Sequence, residues 1–354
     1  MRRFKLIVAC MLAVMLVATA FISGCGKKEE PKAAEGPKKI KVGLVFDVGG
    51  RGDKSFNDSA YAGLEKAMKE LGDKVEIKYL EPSAGGENRE QLVRLLAQEK
   101  YDVIFGVGFI FTDTIAKVAK DFPQTKFALI DGYVPDLKDA SNISCLLFKE
   151  QEGSFLTGAA AAMKSKSGKI GFVGGMQIPV IEKFEAGYMA GAKFVNPNIV
   201  ILSDYIGTTG EAFKDPVKGK ELALKQIKDG ADVVYHASGA SGIGVIEAAA
   251  SQKAMAIGVD SDQSLTATDA QRPFILTSML KRVDVAVFDT IKSVVDNKFK
   301  GGYHEYGAKD SGVAYAENEY NKALINDIKP KLEEIKGKIV SGEIKVPATK
   351  KDVK

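Results

Sequence analysis

The sequence predicts an α/β protein of two similar lobes, each built on a parallel sheet. Three observations lead there. Short, apolar, β-branched strands alternate with helical patterns along the chain, as in βαβ units. The second half starts again in the same way as the first. And 354 residues are more than one ordinary hydrophobic core accommodates.

The first 24 residues stand outside that fold. Arg2, Arg3 and Lys5 precede an almost unbroken apolar run over residues 6–22, followed by Ser23, Gly24 and Cys25. This is the pattern of an export signal, and the run is at the short limit for a membrane span. Residues 22–25, Ile-Ser-Gly-Cys, resemble the bacterial lipobox. The resemblance implies cleavage before Cys25, lipid on its thiol, and a chain held on a membrane surface rather than through it. Residues 25–38 are rich in Lys, Glu, Pro, Ala and Gly and read as a flexible tether. Loss of the three signal charges takes the net charge from +4 to +1, which argues against nucleic-acid binding by a charged face. Cys10 leaves with the signal and Cys25 carries lipid. Cys145 is then alone, cannot form an internal disulfide, and reads as a small buried hydrophobe.

The fold begins at residues 41–47, Lys-Val-Gly-Leu-Val-Phe-Asp, a buried strand. A glycine-rich turn leads to a helix with Ala60, Leu64, Ala67 and Leu71 on one face. Ser55 and Asp58 have capping-box spacing, and Gly72 is a plausible stop. Helices follow at 87–99 and 112–121, and strands at 102–108, 126–132 and 142–148. The second half repeats the scheme with strands at 168–175, 199–206, 232–236 and 255–259. Its helices carry Phe184, Tyr188, Ala192 and Val195 on one face, start at Pro216, or end near Gln252. A strand at 275–281, a helix at 283–297, a short strand at 313–316, a helix at 322–338 and a solvated lysine-rich tail complete the chain. The expected division is 39–144 with 275–300 for the first lobe, 145–274 with 301–345 for the second, and 346–354 for the tail. Several crossings between the lobes would form a hinge.

The halves match in detail. Asp102-Val103-Ile104-Phe105 parallels Asp232-Val233-Val234-Tyr235, and Asp131 parallels Asp260, each an acid closing a strand. If the lobes face each other, these two acids lie on opposite walls of one cleft, although an acid after a strand also serves as a helix N-cap. In open α/β sheets, ligands bind beyond the carboxyl ends of the strands. The loops there hold Asp47, Ser55, Phe56 and Asn57 in one half and Phe213, Gly239, Ser241 and Asp260 in the other. Two phenylalanines on facing walls would sandwich a heterocyclic base; the alternative is that each folds back as a loop anchor. Asn57 offers a donor and an acceptor to a base edge, and ionised Asp47 and Asp131 accept only. Asp260 suits a pair of ribose hydroxyls, with Lys281 as a donor. Gly239 and Ser241 open a helix whose N–H groups suit an anion. The acids around them, without a basic cluster, disfavour a phosphorylated ligand.

His236 and His304 are the only histidines, so a His-based metal site is not expected, and no Ser–His–acid or Cys–His motif stands out. His236 reads as a loop or core residue. No cofactor is implied. Asp47 and Asp131 could pair as carboxylates in a nucleoside hydrolase, but no ligand cluster for a metal supports them. A binder of sugars or other metabolites remains as an alternative, against which the absence of tryptophan counts mildly. So does a sensory ligand-binding lipoprotein.

The ordered motifs resemble the Bmp (basic membrane protein) lipoproteins, a family that includes the bacterial purine nucleoside receptor. They are residues 45–47 and 53–57, 127–132, 207–210, 213–221 and 341–347. The resemblance spans nearly all of the mature chain. It implies a type I periplasmic-binding-protein-like fold, with two Rossmann-like lobes on a multi-strand hinge, serving an ABC transporter permease. It implies a monomer, with base stacking by residues matching Phe56 and Phe213. Base contacts fall near Asp47, Asn57 and Asp131, and ribose contacts near Gly239, Asp260 and Lys281. Residues 48–52, beside the proposed base site, depart from the family pattern.

Overall fold

A computed structural model describes residues 39–353, apart from Ala84 and Ala140. The export signal, Cys10, the lipobox with Cys25, and the tether fall outside the described residues. Within them, twelve strands form two six-stranded sheets.

The first sheet holds β1 (Ile40–Val45), β2 (Val75–Leu80), β3 (Val103–Val107), β4 (Lys126–Ile130), β5 (Ile143–Phe148) and β11 (Gly302–Tyr306), in the order β11-β5-β4-β3-β1-β2 and all parallel. The second holds β6 (Lys169–Met176), β7 (Val200–Gly207), β8 (Val233–Ala237), β9 (Met255–Asp260), β10 (Ile275–Lys281) and β12 (Val313–Tyr315), in the order β12-β10-β9-β8-β6-β7. Only β12 runs antiparallel to its neighbour. The two orders are the same, so the repeat expected from the sequence is a repeat of topology. The helices are α1 (Phe56–Leu71), α2 (Arg89–Gln98), α3 (Thr112–Asp121), α4 (Glu150–Lys164), α5 (Pro179–Val195), α6 (Pro216–Lys228), α7 (Gly242–Ser251), α8 (Val283–Val295), α9 (Lys322–Ile325) and α10 (Lys329–Val340).

Strand pairing corrects the expected division of the chain. β5 and β11 belong to the first sheet and β10 to the second, whereas the sequence reading placed 145–148 and 301–306 in the second lobe and 275–281 in the first. A strand's hydrophobicity says that it is buried, not which sheet it joins. Among the described residues the chain crosses between halves three times: at Lys149, at Arg282, and over residues 307–312. The crossings are laced together. Lys149 N–H donates to the Tyr306 carbonyl at 2.9 Å, Arg282 N–H to the Gly312 carbonyl at 2.9 Å, and Ala308 N–H to Glu152 Oε2 at 2.8 Å.

Helices α4 and α5 pack backbone to backbone in the second half. A Cβ at Gly158 would sit 2.1 Å from the Tyr188 carbonyl oxygen, and one at Gly191 would sit 1.9 Å from that of Phe155. The expected single helix over 322–338 is two helices, because Pro330 lacks an N–H and restricts the residue before it, so a new helix starts there. The end of the chain is not wholly solvated either. Ile344 and Val346 pack against the core, and Lys350 pairs with buried Glu185 on α5 at 3.0 Å.

Candidate functional site

The carboxyl ends of both sheets open on one cavity, the position where ligands bind in open α/β sheets. The first half contributes Asp47, Phe56, Asn57 and Asp131, and the second contributes Phe213, Gly239, Asp260 and Lys281. Phe56 and Phe213 are both half-buried. Phe213 lies against Gly175 of β6, where a Cβ would meet its ring at 2.3 Å. The glycine there leaves room for the ring.

Two expected residues are placed differently. Ser241 does not line the cavity: its buried hydroxyl donates to the Ala212 carbonyl at 2.8 Å and accepts from Asp215 N–H at 2.7 Å. It therefore holds the loop that carries Phe213. Ser55 is likewise off the lining, and it forms no cap on α1. Its hydroxyl crosses to the other half and donates to Asp260 Oδ2 at 2.5 Å. The same seam has Ser261 Oγ donating to the Ser55 carbonyl at 3.3 Å and Lys54 Nζ to that of Thr266 at 3.2 Å.

The expected capping box is replaced by Asp53. Its buried carboxylate accepts from the N–H groups of Ser55, Asn57 and Asp58 at 2.8–3.1 Å. Burial still pushes it up to about 6. Asn57 is spent on the same loop. Its Oδ1 accepts from Asp47 N–H at 2.9 Å, and its Nδ2 donates to Asp53 Oδ2 at 3.1 Å and the Val48 carbonyl at 3.4 Å. Both amide hydrogens are thus engaged, so Asn57 shapes the wall more than it offers free donors. Enclosure pushes the Asp47 carboxyl up to about 7, against the pull of the Val48 N–H that it accepts at 2.6 Å.

Asp131 and Asp260 confirm the internal repeat at atomic detail. Both take left-handed backbone, at φ 58° and 61°, at equivalent strand exits. That turn aims both carboxyls at Lys281, which is 2 % exposed. Lys281 Nζ donates to Asp131 Oδ2 and lies 3.5 Å from Asp260 Oδ1. Burial alone would lower the lysine's pKa, but the carboxyls of Asp131, Asp260 and Glu150 outweigh it and raise it. Burial pushes Asp131 up against the pull of that ammonium. Oδ1 of Asp131 and Oδ1 of Asp260 are both buried without a hydrogen-bond partner. Lys281 Nζ also stands 4.5 Å from the Phe56 ring centre and 5.3 Å from that of Phe184.

The sequence reading missed Phe109, Phe184, Ser238 and Glu150. Phe109 follows β3, and Phe184 lies in the second turn of α5; both line the cavity. A signal was present, since helix starts after sheet strands open on the cleft. Phe184 read instead as one more residue of an apolar face. Glu150, 1 % exposed, pairs with Lys183 at 3.1 Å, and burial pushes it up to about 7. Nothing in the local sequence marks it. Among the described residues no cluster of His, Cys, Asp or Glu is placed to hold a metal ion, and no helix is long and apolar enough to cross a membrane.

His236 is a core residue beneath the cleft. Burial depresses its pKa to about 4, from 6.5. A depressed histidine contributes stability that is full above pH 6.5 and is lost as pH falls through 4. The stability difference between the protein and His236→Asn should therefore shrink by about 3 kcal/mol between pH 7 and pH 4. Chemical denaturation at several pH values measures it, and a constant difference would refute the assignment. The raised acids slope the other way, which is why the comparison is made between variants.

The chain resembles known proteins over almost its whole length. A family model described as "ABC transporter substrate-binding protein PnrA-like" (Bmp) matches residues 40–350. The "CD4+ T-cell-stimulating antigen" of Listeria monocytogenes is 35 % identical, across 96 % of this chain and 98 % of that protein. The "ABC transporter nucleoside-binding protein BmpA" of Lactococcus lactis is 32 % identical, across 96 % and 99 %. Among solved structures, an ABC transporter solute-binding protein from Aeropyrum pernix superposes with a TM-score of 0.77 at 32 % identity, covering 87 % of this chain and 94 % of that one.

Proposed function

This chain belongs to the Bmp family of PnrA-like ABC transporter substrate-binding proteins, and on that premise we propose that it captures nucleosides, purine ones above all, in the cleft between its halves. The fold is the type I periplasmic-binding-protein-like fold, and the family binds substrates for transport rather than transforming them. One observation carries the nucleoside reading. Aromatic faces from both halves, Phe56 and Phe213, share a cavity with Asp131 and Asp260, each of which has one buried carboxylate oxygen that accepts no hydrogen bond. Flat rings suit a base, and unpartnered acceptors suit hydroxyl and ring N–H donors. The acids disfavour phosphate, so the reading is of a nucleoside and not a nucleotide. The name of the Lactococcus relative points the same way. In this proposal Cys25 carries the lipid that holds the protein, as a monomer, on the outer face of the cell membrane, and the closed form delivers its ligand to a permease. Closure about the laced crossings would be of the hinge type.

Calorimetric titration of the chain from Gly26 onward tests this. The ligands are guanosine, inosine, adenosine, a pyrimidine nucleoside, free guanine and ribose. Tight binding of a purine nucleoside, with weak binding of base and ribose alone, is the expected result. No heat with any nucleoside would refute the reading and turn attention to sugars. In the same assay Phe56→Ala should weaken nucleoside binding by about 1–3 kcal/mol without unfolding the protein. Unchanged affinity would remove Phe56 from the site.

A further inference from the structure

Beneath the second wall of the cleft runs a buried chain of polar groups that the ligand contacts above do not explain. Ser238 lines the cavity and is 1 % exposed, His236 is fully buried, and Gln263 is 2 % exposed. Ser238 Oγ lies 3.3 Å from His236 Nδ1, and His236 Nε2 lies 2.8 Å from Gln263 Oε1. The direction of these bonds is fixed from the far end. Val259 N–H, which can only donate, points at Gln263 Oε1 at 3.0 Å. A flipped amide would set a donor against a donor there. The amide keeps its orientation although Gln263 Nε2 is left buried without a partner. Facing the same oxygen, His236 Nε2 must carry the hydrogen. Its Nδ1 is then bare and accepts, so the Ser238 hydroxyl donates to it. The ring lies against Gly242 at the start of α7, where a Cβ would fall 1.8 Å from Cε1, so the glycine leaves room for it.

We propose that Ser238 is a specificity residue of the cleft, its hydroxyl held by His236 as a hydrogen-bond acceptor, so that it reads a donor, an O–H or N–H group, on the ligand. The inference rests on the nucleoside reading for the ligand's identity but not for the proton arrangement. With its one hydrogen turned inward, Ser238 presents only lone pairs to the cavity. It joins Asp131 Oδ1 and Asp260 Oδ1, neither of which accepts a hydrogen bond, although the second lies 3.5 Å from the Lys281 ammonium. Lys281 is the donor among them. The polar wall is therefore complementary to a ligand with several donors, and poorly matched to one whose hydroxyls are alkylated or removed.

Two measurements test this. Nitrogen NMR of histidine-labelled protein reads the tautomer directly, with His304→Asn to assign the two rings. The expected result is a neutral His236 protonated at Nε2, and a ring protonated at Nδ1 overturns the proposal. In titrations, Ser238→Ala should weaken binding of a parent purine nucleoside about tenfold, through the donor left unpaired. For one analogue, with one hydroxyl or ring N–H removed or methylated, the same substitution should change affinity less than about twofold. Ser238→Thr, which keeps the hydroxyl, should bind within about threefold of the parent protein. Equal losses for every analogue would make Ser238 structural and refute the specificity role. If the unaltered protein binds no nucleoside, the ligand reading fails, and the tautomer still decides whether Ser238 is an acceptor.

Discussion

Replacing Lys281 with methionine should cost about 3–5 kcal/mol of folding stability, because it leaves two buried carboxylates facing each other without a cation. Asp131 and Asp260 come from opposite halves and meet on this one ammonium, with Glu150 close by. Methionine fills the space without the charge. Some of the cost falls away if the carboxyls take up protons, so the loss should be larger at pH 8 than at pH 5. Replacing both acids with asparagine in the same chain should recover part of it. Urea denaturation measures the loss, and a change below about 1 kcal/mol would show that the charges are not the buried network described. Ligand capture should fail in the same variant if the cleft works as proposed, since its cationic donor is gone.

Gly191→Val should destabilise the protein by more than about 3 kcal/mol, beyond the ordinary cost of overfilling a core. At this position the neighbour is backbone, the Phe155 carbonyl oxygen 1.9 Å from where a Cβ would stand, so no rotamer change relieves the clash. Gly337 gives the control. It lies in α10 with open space around it, and Gly337→Ala should be neutral or stabilising by about 0.5–1 kcal/mol. Thermal or urea denaturation of both variants makes the comparison. A tolerated Gly191→Val would mean that α4 and α5 are not packed at backbone contact.

Much of the architecture was legible because it rests on periodicity. Alternating strands and helices, the matched strands at Val103 and Val233, and the acids at Asp131 and Asp260 all appear in the structure in the expected order. What failed was whatever depends on a distant partner. α4 went unseen because residues 153–162, small and mostly apolar, carry no amphipathic stripe; the helix is buried on nearly its whole circumference there. β2 and β11 are edge strands of mixed polarity. Ser55 had the spacing of a cap, yet its hydroxyl found a carboxylate 205 positions away. The aromatics and acids of the cleft were nameable from loop position, but the commitment of both amide hydrogens of Asn57 and the inward turn of Ser241 depend on neighbours that no spacing reveals.

The interleaved order of the strands has a kinetic consequence. Five strands of the first sheet are complete by residue 148, but the sixth, β11, does not exist until residues 302–306, and β12 closes the second sheet only at 313–315. Each half therefore waits for sequence that follows the bulk of the other. Contacts of such long separation slow folding, since the intervening loop must be closed before the pairing rewards it. A nascent chain stopped near residue 300 would lack an edge on both sheets at once. The two halves therefore mature as a single unit, and only after residues 302–315 have been made.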